Sequence, residues 1–154
     1  MKQENQLLYN RWLENSLSSI IKESNVKISY VQECADDIIY SNPAYLDSIL
    51  LNLITNAIKY KSELRVPEII IRLSINENYK VLTVTDNGIG IDMQKNRKLL
   101  FGLYKTFHRN KDTKGISLYI TKIQIEAMKG KIEVESILDV GSSFSVFFPA
   151  YIAK

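Results

Sequence analysis

Apolar residues along this chain recur with two periods, and the switches between them mark out its elements. Leu8, Trp12, Leu13, Leu17, Ile20 and Ile21 fall at the three- and four-residue spacing of an amphipathic helix, which predicts one from Leu7 to Lys22, ended by the polar pair Ser24 and Asn25. From Val26 to Val31 the period drops to two, with Lys27 and Ser29 set between Val26, Ile28 and Tyr30, as in a half-buried strand. A short strand follows near Ile38 to Tyr40. "SNPAYLDS" then opens a helix: Ser41 or Asn42 caps it, Pro43 suits its first turn, and Leu46, Ile49, Leu50, Leu53 and Ala57 draw its apolar face as far as about Ser62. Glu68 to Ile75 and Lys80 to Thr85 read as strands joined by the turn-like "NEN", after which "DNGIGID" breaks the pattern with two glycines. Lys98 to Lys114 is mixed and basic. Ile116 to Met128 is helical, Gly130 stands where a left-handed C-cap belongs, and Lys131 to Ser136 and Ser143 to Phe148 form a strand pair turning near Gly141. Elements in this order pack most economically as an α+β fold, a two-layer sandwich with helices on one face of a mixed β-sheet.

Composition narrows the class without naming a function. At 154 residues, 45% hydrophobic and 24% charged, the chain reads as a single domain, 1–154, whose core needs no disulfide. The 20 basic residues exceed the 17 acidic ones only enough for a net charge of +3, too little to argue for a nucleic-acid partner. Cys34 is the single cysteine, so neither an internal disulfide nor a CxxC zinc site is expected, and a reducing cytoplasm suits it. No apolar run approaches the roughly 18 residues of a membrane span, and the start "MKQENQLLYN" is polar, so the chain reads as soluble, without direct membrane contact.

Three stretches bring in chemistry. In "NLITNAIKY" two asparagines, mediocre helix formers, lie one turn apart and share a helix side with Lys59. An exposed face tolerates asparagine; a ligand stripe uses it, because an amide oxygen is a hard neutral donor suited to a Mg2+ already bearing phosphate, with Lys59 on a phosphate. "TDNGIGID" is either a plain turn or a site where Asp86, at a strand end, accepts from an exocyclic amine while Gly88 and Gly90 admit a flat ring. "FHRNKDTKG" gathers His108, Arg109, Lys111 and Lys114, as a solvated loop or as a phosphate-covering flap, and Gly115 precedes a helix whose N-terminal amides suit an anion.

In this order the stretches resemble the ATP-binding catalytic domain of sensor histidine kinases, the Bergerat fold shared with DNA gyrase, Hsp90 and MutL. "LLNLITNAIKY" resembles the N box, "DNGIGI" the G1 box, "LYKTFHR" the F box and "KGISLYITK" a modified G2 box, the likeness covering about Val26 to Phe148. The resemblance implies ATP and Mg2+ as cofactors, with Asn56 as metal ligand, Asn52 assisting metal and phosphates, Lys59 on phosphate and Tyr60 near adenine. It implies Asp86 on the adenine amino group, Gly88 and Gly90 shaping the pocket, and Arg109 reaching the γ-phosphate. Phe107, Lys114, Gly115, Ser117 and Leu118 complete the nucleotide site. The activity so implied is that of a protein histidine kinase, acting on a histidine of the receptor's own dimerisation domain, in the cytoplasmic part of a membrane-attached bacterial receptor with a response regulator downstream. An anti-sigma-factor-type serine kinase and a degenerate nucleotide-binding or regulatory module are the other readings of the same resemblance.

Two departures stand out. The family's Gly-x-Gly-Leu-Gly-Leu run is here Thr113, Lys114, Gly115, Ile116, Ser117 and Leu118, so Ser117 is expected to be strained if its position requires positive φ. The one histidine, His108, is followed by Arg109 and lies in the F box, so the phosphoacceptor histidine is expected on a separate domain.

Overall fold

The "SNPAYLDS" signal builds the central helix as expected. The Asn42 side chain accepts from the amides of Ala44 (2.9 Å) and Tyr45 (3.2 Å), Pro43 takes the first turn, and α1 runs Pro43–Lys59. The computed structural model describes residues 6–8, 25–36, 38–98, 100–102 and 114–150. Among these, the strands are β1 Gln6–Leu8, β2 Lys27–Gln32, β3 Ile38–Tyr40, β4 Glu68–Asn76, β5 Tyr79–Asp86, β6 Lys131–Ile137 and β7 Gly141–Pro149. The helices besides α1 are α2 Met93–Asn96 and α3 Lys114–Ala127.

Five strands form one sheet in the order β2-β4-β5-β7-β6, parallel between β2 and β4 and antiparallel elsewhere, so the sheet is mixed. The pairing register sorts side chains by face. Ile69, Ile71 and Leu73 lie opposite Asp86, Val84 and Leu82, which in turn lie opposite Ser142, Phe144 and Val146. That apolar row joins Leu46, Ile49, Leu50, Leu53, Ile54 and Ala57 of α1 and Leu118 and Ile125 of α3 in one core. The other face is polar along hydroxyl pairs Thr83–Ser145 at 3.1 Å and Thr85–Ser143 at 2.9 Å, and at one end buries Val81 and Phe147 beside Tyr79. One apolar face under the helices and one face bearing these hydroxyls give the expected two-layer α+β sandwich.

Several boundaries differ from expectation, among them the start of β7, which is Gly141 rather than Ser143. Leu7 and Leu8 do not open a helix: they lie in β1, antiparallel to β3 with Leu7 opposite Ile39 and Leu8 opposite Ile38, and the rest of the predicted helix lies outside the described residues. A short apolar run does not choose its own period, and here a distant strand partner decides. Helix α1 stops at Lys59 rather than Ser62, because the carbonyl of its C-cap, Tyr60, accepts from Ile89 N (3.0 Å), and Ser62 accepts instead from Leu64 N (3.0 Å). Helix α3 begins at Lys114, ahead of Ile116. At its other end the left-handed residue is Lys129 (φ 67), not Gly130. Gly130 N bonds Ile125 O and Lys129 N bonds Glu126 O, both 3.0 Å, which is the Schellman pattern with Lys129 at C′. Glycine follows for a different reason: a Cβ there would stand 2.2 Å from the Phe147 carbonyl oxygen.

Candidate functional site

Asp86 is the last residue of β5, at the end of the apolar row, and its carboxylate is aimed by the main chain. Oδ1 accepts from Gly88 N at 2.8 Å and from Ser142 N at 3.3 Å. Together with Leu53, Asn56, Ala57, Tyr60, Gly90, Ile91, Ser142 and Phe144 it lines a cleft between the C-terminal half of α1 and the ends of β5 and β7. The enclosed space there is small, ≈ 20 Å³.

The loop after Asp86 is braced from three sides. Arg65 donates to the carbonyls of Asn87 (2.7 Å), Gly88 (2.9 Å) and Asp139 (2.7 Å). Asn87 ties the loop to the start of β4, donating to Val66 O and accepting from Glu68 N. Ser136 Oγ accepts from Ile91 N at 2.8 Å, donates to Gly141 O and meets Ser142 Oγ at 2.7 Å. The glycines allow this close packing: a Cβ on Gly88 would lie 2.5 Å from the Tyr60 carbonyl oxygen, and one on Gly90 (φ +75) would lie 2.1 Å from that of Ile137. What approaches them in this fold is protein backbone, and of the two only Gly90 lines the cleft.

The two asparagines behave differently from one another. Asn56 lines the cleft and its Nδ2 donates to Ser117 Oγ at 3.4 Å, while Asn52 Nδ2 donates to Thr121 Oγ1 at 3.1 Å. Lys59 lies at the surface with Nζ 5.3 Å from the centre of the Tyr60 ring, a cation–π distance. Leu118 is fully buried in the core, away from the cleft lining. Ser117 lies within α3 and is not among the residues of positive φ, so the expected strain is absent. Lys114 and Gly115 form the start of α3, and Phe107 and Arg109 lie outside the described residues.

Sequence reading missed Ser142, Phe144, Arg65, Ser136 and Thr121. Ser142 and Phe144 were open to discovery by parity, since they share the period-two row of Val146 and Phe148. Arg65 carries no local signal.

Among the described residues no three His, Cys, Asp or Glu side chains gather as a metal cage. The donor set at the cleft is the neutral amide of Asn56 with that of Asn52 one turn away, which fits a hard cation held chiefly by phosphate and water rather than by protein carboxylates.

Known proteins agree with this architecture. Residues 41–152 match the family described as histidine kinase-, DNA gyrase B-, and HSP90-like ATPase. The chain belongs to that family. It is 32% identical over 143 residues to the sensor protein RprX of Bacteroides fragilis, covering 88% of this chain and 27% of RprX. It is 28% identical over 138 residues to the adaptive-response sensory kinase SasA of Crocosphaera subtropica, covering 87% of this chain and 35% of SasA. The chain therefore spans roughly a quarter to a third of these relatives. In structure it is similar to the catalytic domain of histidine kinase ThkA, with a TM-score of 0.78, 19% identity, and coverage of 94% of this chain and 96% of that one. The mycobacterial sensor histidine kinase MprB gives 0.75 at 20% identity, covering 94% and 97%. The fold is that of histidine kinase catalytic domains.

Proposed function

We propose that this chain binds Mg2+-ATP in the cleft between α1, β5 and β7 and delivers the γ-phosphoryl group to a histidine on a separate dimerisation domain of the same receptor, with a response regulator downstream. The observation that carries this reading is Asp86: a carboxylate at a strand end, oriented by two main-chain N–H groups into a cleft lined on the other side by Asn56 and Tyr60. A carboxylate accepts only, so it selects a ring bearing an amino group. Tyr60, Ile91 and Phe144 supply the apolar walls.

Asn56, with Asn52 one turn before it, would give its amide oxygen to the cation, and a bound Mg2+ would supply charge neutralisation for the phosphates. Lys59 and Arg109 are proposed as the cationic partners of the phosphates, with Phe107, Lys114, Gly115 and Ser117 bordering them, while Leu118 packs in the core beneath. Phosphoryl transfer needs positioning and charge stabilisation more than covalent work, which suits a site built of amides, cations and one carboxylate. The kinship with proteins named as a sensor protein and a sensory kinase supports the receptor context. No described helix is long and apolar enough to cross a membrane, so attachment is assigned to another part of the receptor.

Incubated with labelled ATP and a separately supplied two-helix domain carrying its histidine, the chain transfers label to that domain, slowly because tethering is lost. Incubated alone it gains no acid-labile phosphohistidine, and label on His108 overturns the reading. Label on serine of a partner instead points to the serine-kinase branch.

A further inference from the structure

Beside the apolar core they share, helices α1 and α3 and their flanking residues also meet along a line of polar pairs. Asn56 bonds Ser117, Asn52 bonds Thr121, and Ser41 Oγ donates to Met128 Sδ at 3.0 Å, pairs that run in opposite chain directions as antiparallel helices require. Thr121 is fully buried, yet it stands on the helix stripe that also carries Ser117, one turn before it. In both asparagine pairs the amide gives its nitrogen to a hydroxyl of α3.

An asparagine amide has two unlike ends, and only the oxygen serves a cation. With Nδ2 committed to α3, Oδ1 is left for another partner, and Asn56 lines the cleft. A buried hydroxyl at a helix contact is itself a cost unless bonded, so Thr121 and Asn52 satisfy each other whatever else they do. That requirement alone does not explain why both bonds take nitrogen rather than oxygen from the asparagines.

We infer that Thr121 is a positioning residue, whose hydroxyl holds the Asn52 amide with its oxygen toward the metal, as Ser117 holds that of Asn56. This rests on the Mg2+-ATP reading above. Two substitutions test it. Thr121→Val keeps the shape and removes the acceptor, and Thr121→Ser keeps the acceptor. Titrations are made with ATP in Mg2+ and in EDTA, melting temperatures are recorded, and the Asn52 side-chain amide protons are followed by NMR in the nucleotide-free protein.

The expected result for Thr121→Val is an affinity for Mg2+-ATP lower by about fivefold, the weight of one hydrogen bond. Metal-free affinity stays unchanged and the Asn52 amide protons exchange faster. Thr121→Ser restores both. Wild-type affinity in Thr121→Val overturns the inference, as do equal losses with and without metal, or amide protons that exchange as before. If the wild-type chain itself fails to bind Mg2+-ATP, the proposed function fails and this inference falls with it. If wild type binds and Thr121→Val matches it, the positioning role alone is lost.

Discussion

Lys80 and Asp86 stand at opposite ends of the same face of β5, each closing the apolar row made by Leu82 and Val84. Lys80, 8% exposed, puts Nζ 2.7 Å from Asp36 Oδ1. Its charge is matched side chain to side chain, and the bond from Lys80, then the amide of Ile38, hold the Asp36 carboxyl below its usual pKa. Asp86 is instead oriented by main-chain amides at Gly88 and Ser142, within a loop that Arg65 and Ser136 brace. An ion pair at a strand end contributes stability and leaves little chemistry. Main-chain donors fix a carboxylate's direction while keeping its charge, which is what a recognition site needs.

The sharpest way to break the contrast is to disturb the bracing of the Asp86 end. Gly141→Ala, at φ 145, places a Cβ 2.0 Å from the Asp86 carbonyl oxygen. It is expected to cost about 3 kcal/mol or more in denaturant unfolding and to weaken ATP binding with it. Asp86→Asn leaves the bracing in place and presents a donor where adenine also donates, so ATP affinity falls by roughly 1.5 to 3 kcal/mol with little change in melting temperature.

At the other end, Asp36→Asn is expected to cost only about 1 kcal/mol, since Asp36 is more than half exposed, and to leave ATP affinity unaltered. The pH dependence follows from the direction of its shift. A carboxyl whose folded pKa is depressed adds stability above its unfolded pKa of about 3.9, and loses it as pH falls through the lower folded value. Asp36→Asn should flatten that acid limb in urea titrations across the acidic range. The smallest effect on stability is expected at Ser117→Gly, which also removes the hydroxyl that holds the Asn56 amide and so lowers Mg2+-ATP affinity. With Ser117 in helix α3, glycine lowers stability by a few tenths to about 1 kcal/mol, and no strain is relieved.

The sheet was legible because its strands alternate cleanly and most turns carry Gly, Asn or Asp, so β4 and β5 fall within a residue of expectation. Asn52, Asn56 and Asp86 stood out as polar groups where local propensity disfavours them. What stayed hidden depends on distant partners. Thr121 looks like any helical threonine until Asn52, 69 residues away, is placed beside it. Arg65 gains meaning only when the loops at Asn87 and Asp139 converge. The helix α2 has a readable cap, Asp92, whose carboxylate accepts from Gln94 N and Lys95 N, but it is too short for any period to show. Gly130 misled because glycine serves both left-handed turns and close packing, and here the second role is filled while Lys129 takes the first.

The central claim is that Asp86 reads an amino group on the bound ring. Titrating wild type and Asp86→Asn with ATP and with purine riboside triphosphate, which lacks the exocyclic amine, tests it most directly. Wild type should prefer ATP, and Asp86→Asn should lose that preference while binding the amine-free nucleotide about as wild type does. An Asp86→Asn protein that binds ATP as tightly as wild type, or that loses both nucleotides equally, would contradict it.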